Sequence, residues 1–249
     1  MSQAQQFYND FKRAVKKRTV DNMAVPVSGG LDSTLIVKAL CDNGDIHKCR
    51  LINIRDGNED YVYKLQEKFM FSIKEVEFNY FPPFIPNDIE LERSVEVWEE
   101  PYYAASINYY LFLNITCLGM RVCMSGCGAD ELFGGYTYYN TPDYPRGFFR
   151  PVEAKSNAEK RIYDLDLLIY HHLRKMDKMG MYFQVESRYP YLDSKVMRYN
   201  DVGKSMIKEI LLQDFDDDFV NRPKQGFRAG ESSKEMYLKQ VALWIKLFG

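Results

Sequence analysis

Apolar positions along this chain recur with two different periods. Between Gln3 and Arg18, residues Phe7, Phe11, Ala14 and Val15 fall on one helical face among polar neighbours, so the spacing predicts an amphipathic helix. Met23–Val27 is an unbroken apolar run of strand length, and Leu35–Leu40 resumes an apolar pattern after a polar turn. Lys48–Ile54 reads as a second buried strand, Asp60–Phe71 as a helix and Ser72–Phe78 as a short third strand. The Phe81–Pro86 run, with three prolines, breaks the pattern. Helices return over Asp88–Val97 and Ala104–Cys117, followed by a fourth strand over Met120–Met124. Strand and helix alternating in this way predict parallel pairing through right-handed crossovers, hence an α/β fold with a doubly wound parallel sheet.

Beyond the fourth strand the character changes. Thr137–Pro151 is dense in Tyr, Pro and Gly and reads as a surface loop, while the chain from Ala154 onward is helical and mostly strand-free, ending in an amphipathic helix over Tyr237–Phe248. The expected organisation is an N-terminal helix over residues 1–20, an α/β region over 21–150, and a helical C-terminal half over 151–249 within the same unit.

Two of the strand ends carry glycine-rich turns. Ser28-Gly29-Gly30-Leu31-Asp32-Ser33 follows the first strand and leads into a helix. Adjacent glycines let the backbone turn tightly and remove the Cβ atoms that would block a polyphosphate, so several N–H groups and the positive helix end can face an anion together. The turn lacks the Gly-Lys-Ser/Thr ending of the Walker loop, which counts against a kinase or GTPase. It carries Asp32 instead, and a carboxylate beside phosphates is stable only with a cation between them, making Asp32 a candidate Mg²⁺ ligand. An ordinary strand-to-helix turn capped by Ser or Asp is the alternative. The second turn, Ser125-Gly126-Cys127-Gly128-Ala129-Asp130-Glu131-Leu132-Phe133-Gly134-Gly135-Tyr136, follows the fourth strand directly. Ligands of open α/β sheets bind at the carboxyl ends of the strands, so Asp130 is expected to face Asp32 and share its metal.

Composition narrows the classes further. Within 249 residues the net charge is only −2, so no global basic field argues for duplex nucleic acid. The most apolar stretch, Tyr109–Met124, is too short and too polar to span a bilayer, and the basic, polar N-terminal residues do not resemble a signal peptide. Five scattered cysteines without a Cys-x-x-Cys pair read as reduced thiols of a cytoplasmic protein, and neither they nor the three histidines show zinc-ligand spacing. The acidic run Asp214–Asp218 reads as a solvated loop rather than a metal site.

Taken together, the two turns resemble the phosphate loop and the Ser-Gly-x-Gly-Ala-Asp-Glu-Leu-Phe-Gly-Gly-Tyr signature of the asparagine synthetase and β-lactam synthetase family of PP-loop ATP pyrophosphatases. Further blocks resemble the same family in order: Glu186-Ser187-Arg188 through Pro190-Tyr191-Leu192-Asp193, then Lys204-x-x-Ile207-Lys208, then Arg222-Pro223-Lys224-Gln225-Gly226-Phe227. The resemblance runs from about Met23 to Phe227.

It implies a Rossmann-like sheet and an ATP-dependent, Mg²⁺-assisted ligase in which a carboxylate attacks the α-phosphorus of ATP, pyrophosphate leaves, and ammonia or an amine displaces AMP. On this reading Ser28, Gly29, Gly30 and Ser33 hold the pyrophosphate, and Asp32 and Asp130 hold Mg²⁺. Lys224 supplies positive charge near the α-phosphate, and Glu131 meets the amine or metal unless it caps its helix. Ile52 and Asn53 lie against the adenine on one side, Ser125 and Gly126 on the other. Glu186 and Arg188 are expected as a buried pair joining the helical half to the sheet.

Two departures from the family pattern stand out. Cys127 occupies a position that is glutamate in many asparagine synthetases and tyrosine in β-lactam synthetases; with no histidine near it in sequence, it is expected to be an inert thiol, a covalent thioester being the alternative. Residue 2 is serine, where family members with a glutaminase domain begin with a catalytic cysteine, so ammonia is expected from solution, from a separate glutaminase, or as an amine on the substrate. Tyr102, Tyr103, Tyr136, Tyr138, Tyr139 and Tyr144 flank the expected acceptor pocket and suit a flat substrate or ordinary packing equally. A homodimer is compatible with the C-terminal helix. Two other readings stay open, a PP-loop enzyme that modifies nucleotides or RNA and an ATP-binding regulatory subunit without catalysis.

Overall fold

The computed structural model describes residues 1–55, 59–70, 78–82, 87–101, 105–135, 156–199, 201, 203–222 and 233–249. Its centre is a five-stranded, wholly parallel sheet in the order β3-β2-β1-β4-β5. The strands are β1 (Met23–Pro26), β2 (Cys49–Ile54), β3 (Phe78–Phe81), β4 (Val122–Met124) and β5 (Glu186–Arg188). The chain leaves β1 toward β2 on one side and returns to β4 on the other, so the order reverses between β1 and β4, where crevices form in doubly wound sheets.

Alternation along the strands feeds two cores. Met23 and Val25 of β1, Leu51 of β2 and Met124 of β4 enter one apolar layer, whereas Ala24, Ile52, Ile54 and Cys123 enter the other. Helices α1 (Gln3–Arg18) and α2 (Leu31–Asp42) cover the first face; α4 (Asp88–Trp98), α5 (Ala105–Cys117) and α8 (Arg174–Tyr182) cover the second. Helix α1 forms as its spacing predicts: Ser2 accepts the Gln5 N–H at 3.2 Å, and Lys16, Lys17 and Arg18 sit at the negative helix end. Its Phe7 and Phe11 are fully buried, each worth about 1.5–3 kcal/mol. Phe11 packs on Tyr191 at 4.5 Å between ring centroids and Phe7 on Phe133 at 5.3 Å.

The remaining helices are α3 (Glu59–Met70), α6 (Ala129–Phe133), α7 (Asn157–Leu168), α9 (Ser205–Leu211), α10 (Asp217–Asn221) and α11 (Ser233–Phe248). A π-helical stretch, Ile169–Leu173, joins α7 to α8.

Four expectations need correction. The third strand continues through Phe81, past its expected end at Phe78, because Leu51–Ile54 pair with Phe78–Phe81; residues 71–77 lie outside the described ones. The C-terminal half also contributes the edge strand β5, paired to Val122–Met124, so the sheet is completed by the half expected to be mostly helical. Glu186 and Arg188 lie on that strand as an exposed pair at 2.9 Å, not a buried one, and Arg188 also donates to the Arg18 carbonyl at 2.7 Å. The acidic run is likewise not simply solvated: Asp214 pairs with Lys38 at 2.6 Å, and Asp216 caps α10 by accepting the Phe219 N–H at 2.8 Å.

Candidate functional site

The loops after β1 and β4 meet at the switch point. Gly29 adopts φ +70, a left-handed conformation, and a Cβ there would press at 3.0 Å on Tyr61. The turn that follows is tied to itself: Ser28 accepts the Gly30 N–H at 3.3 Å, while Ser33 and Thr34 donate to the Gly30 carbonyl at 3.1 and 2.8 Å. The α2 N-cap is Gly30 without a side-chain cap, so neither Ser28 nor Asp32 serves as the simple helix cap that the alternative reading required. Gly126 of the second loop packs directly on Asp32, with room for a Cβ only 3.0 Å away.

Asp32 and Asp130 converge on one cation position. The Lys204 ammonium lies 2.5 and 2.6 Å from the Asp32 oxygens and 2.7 Å from Asp130 Oδ1. Burial alone would lower the lysine's pKa; Asp32 and then Asp130 more than offset it and hold Lys204 charged. Lys204 is the left-handed residue (φ 61) that opens α9, anchored by its N–H to the Phe133 carbonyl at 3.0 Å, an uncommon conformation for a residue with a side chain. Gly135 closes over the pair, since a Cβ there would overlap Asp130 Oδ1 and the Lys204 stem. Two carboxylates that already reach a single cation suit a divalent metal, whose oxygen ligands are of this kind. Among the described residues there is no cluster of three or more acidic, His or Cys ligands.

The other expected site residues are distributed as follows. Ile52 and Asn53 lie inside β2, both buried; the Ile52 carbonyl accepts the Val27 N–H at 2.7 Å, and the Asn53 amide donates to the Val27 carbonyl at 2.8 Å. Glu131 is buried in the first turn of α6, whose N-cap is Gly128 without a side-chain cap. Ser125 turns its hydroxyl to Cys127, donating to Sγ at 3.0 Å. Lys224 lies outside the described residues, as do the six tyrosines expected beside the acceptor pocket. The residue two before Lys224 is described: Arg222 donates to the Gly29 carbonyl and stacks 3.7 Å from the Tyr61 ring centroid.

Sequence reasoning missed two residues that the fold brings in. Lys204 belonged to a family-like block, but nothing local told that its ammonium would reach Asp32 from 172 positions away. His172 gave no signal; the π-helical stretch turns its Nε2 to within 3.3 Å of Cys127 Sγ, although the two are 45 residues apart.

The chain matches the asparagine synthase family model over residues 6–165 and 153–246. It is 24% identical over 271 residues to a probable glutamine-hydrolyzing asparagine synthetase of Dictyostelium discoideum, covering 94% of this chain and 43% of that protein. With a putative glutamine-hydrolyzing asparagine synthetase of Methanocaldococcus jannaschii it shares 30% over 202 residues, 75% of this chain and 34% of the relative. The chain thus spans less than half the length of these relatives. Among solved structures it is similar to the NH3-dependent NAD synthetase of Campylobacter jejuni (TM-score 0.34, 14% identity, covering 96% of this chain and 93% of that one) and to the U34-tRNA thiolase NcsA of Methanococcus maripaludis (TM-score 0.44, 13% identity, 97% and 78%). With the family model matching nearly the whole length, the chain belongs to the asparagine synthase family.

Proposed function

We propose that this protein is an ATP-dependent, amide-forming ligase. It adenylates a small carboxylate, releases pyrophosphate, and passes the acyl group to ammonia or an amine. The observation that carries this reading is the convergence of Asp32 and Asp130, from two loops at the switch point, on one cation position beside a glycine turn whose N–H groups suit phosphate. The family to which the chain belongs supports the same chemistry.

In this mechanism Ser28, Gly29, Gly30 and Ser33 receive the β- and γ-phosphates. Asp32 and Asp130 would hold Mg²⁺, which supplies positive charge to the departing pyrophosphate. Lys204 is a positioning residue: it keeps two carboxylates together that would otherwise repel, so the acidic pair is preformed before nucleotide arrives. Ser125, Gly126, Ile52 and Asn53 border the nucleoside, and Glu131 lies on the acceptor side. Lys224 brings its ammonium to the α-phosphate as charge builds in the transition state. That assignment is supported by Arg222, two residues earlier, whose guanidinium donates to the Gly29 carbonyl of the phosphate turn.

Ammonia comes from solution, from a separate glutaminase, or as an amine of the substrate. The five cysteines are all free thiols, which fits a cytoplasmic setting. No helix among the described residues is long and apolar enough to cross a membrane.

The test is product analysis with ATP, Mg²⁺ and a panel of carboxylic acids, with ammonium and then with simple amines. AMP and pyrophosphate formed only with an acid support the ligase. ADP and orthophosphate, formed with or without acid, would contradict it.

A further inference from the structure

Cys127 does not sit alone. Its Sγ is 3.3 Å from His172 Nε2 and accepts a hydrogen bond from the Ser125 hydroxyl at 3.0 Å, while its own N–H donates to Ser125 Oγ at 3.4 Å. The histidine gets there through Ile169–Leu173, where the helix loosens to π geometry between α7 and α8. Single π turns inside α-helices recur at functional sites because they re-aim one side chain.

The contact places an imidazole nitrogen where it can accept the thiol proton. Among the described residues the other titratable groups facing the sulfur are the Cys123 thiol and the Tyr189 phenol, both pushed well up by burial and so neutral. His172 is therefore the proton acceptor in contact among the described residues. The remaining cysteines look different. Cys41 and Cys49 are pushed up to about 12, by burial first and by aspartates next, and among the described residues neither they, Cys123 nor exposed Cys117 contact an imidazole. Cys127 is partly open to solvent, and Gly126, the residue before it, packs on Asp32 of the phosphate turn. A thiol, an imidazole that can take its proton, and a hydroxyl that fixes the sulfur thus stand together beside the nucleotide turn, which is how thiol nucleophiles are built.

We propose that Cys127 is an acyl-accepting nucleophile activated by His172, forming a thioester between adenylation and amide formation. The acyl donor rests on the ligase reading above. In the first step Sγ attacks the carbonyl carbon of the acyl-adenylate, the S–H proton moves to His172 Nε2, the S–C bond forms, and AMP departs with the electrons of the C–O bond. In the second step an amine attacks the thioester carbon, the C–S bond breaks, the sulfur takes back the proton from His172, and the amine's surplus proton goes to water. No oxidant or reductant is needed. The cysteine then does by covalent transfer what a glutamate or tyrosine at this position cannot, and its substrate class is an activated acyl group.

The test uses p-nitrophenyl acetate as acyl donor, which needs neither ATP nor Mg²⁺, so its outcome is separate from that of the ligase reading. The expected result is a burst of one equivalent of p-nitrophenolate, with the acetyl group mapped by mass spectrometry to Cys127 in the wild-type chain. Cys127→Ala abolishes the burst, and His172→Gln slows it by about 100-fold, the ordinary contribution of a general base. Mapping on the wild-type chain needs no variant to fold. Acetyl groups on Cys117 or lysines with Cys127 unmodified would overturn the proposal, as would His172→Gln acylating at the wild-type rate.

Discussion

The Lys204 ammonium and the Asp32 carboxylate meet face to face, 2.5 and 2.6 Å from nitrogen to the two oxygens, at the mouth of the glycine turn. Asp130 completes the arrangement at 2.7 Å. Three charged groups from three separate parts of the chain are held at one point, all of them mostly shielded from water. Burial of this kind is costly unless each charge is paired, so the cluster is maintained by its own complementarity. It is the observation on which the proposed ATP and Mg²⁺ site rests.

Removing the lysine exposes that dependence. In Lys204→Met the half-buried Asp32 and Asp130 carboxylates lose the ammonium that lies between them, which should lower stability by about 3–5 kcal/mol, the usual range for breaking a buried pair. A divalent cation can replace the lost charge. Thermal melts with and without Mg²⁺ should therefore show a larger Mg²⁺ stabilisation in the variant than in the wild-type chain. An equal shift in both would mean that the carboxylates do not share a cation.

Tyr191 links the N-terminal helix to the site. It packs on Phe11 and donates from its hydroxyl to the Asp32 carbonyl at 3.0 Å. Tyr191→Phe keeps the ring and deletes that bond, with an expected loss of about 1 kcal/mol in urea unfolding. A much larger loss would indicate that the ring itself had shifted.

The pair Arg18–Asp193, at 2.9 Å, ties the end of α1 to the turn after Tyr191. Burial pushes the Asp193 carboxyl up, but the Arg18 hydrogen bond, the Lys195 backbone N–H and the Arg18 charge outweigh it, leaving the pKa below its ordinary 3.8. A carboxyl lowered on folding stabilises fully above its unfolded pKa, and that contribution fades as pH falls through the folded value. Asp193→Asn should cost about 2 kcal/mol at neutral pH. Its stability should also fall less steeply than wild type as pH drops below 3.8, and parallel acid limbs would contradict the assignment.

Gly135 has no room for a methyl group beside Asp130 and Lys204. Gly135→Ala should keep the secondary structure, as judged by circular dichroism, yet reduce acid-dependent pyrophosphate release by at least about tenfold, because small displacements at a reacting centre are costly. Undiminished release would show that the Asp130–Lys204 geometry does not matter for turnover.

What could be read in the sequence was what is local or periodic. Helix α1 was visible because Phe7, Phe11, Ala14 and Val15 repeat at helical spacing. The meeting of Asp32 and Asp130 followed from two glycine turns after two strands, since a parallel sheet brings those ends to one edge. The three-residue strand β5 was too short to show alternation, and its place was set by pairing with Val122–Met124. Phe78–Phe81 became a strand through its register with β2 rather than through its own pattern. The contacts of Lys204 and His172 were invisible for the same reason: a left-handed residue at the start of α9 and a π turn before α8 are products of packing, with no periodic trace.

In the proposed reaction a carboxylate attacks the α-phosphorus of ATP. The most direct test labels both oxygens of the acid that best supports pyrophosphate release with ¹⁸O and follows that label into AMP by mass spectrometry. Attack at the α-phosphorus places one ¹⁸O atom in each AMP formed. Unlabelled AMP, or label recovered in orthophosphate beside ADP, would contradict the account.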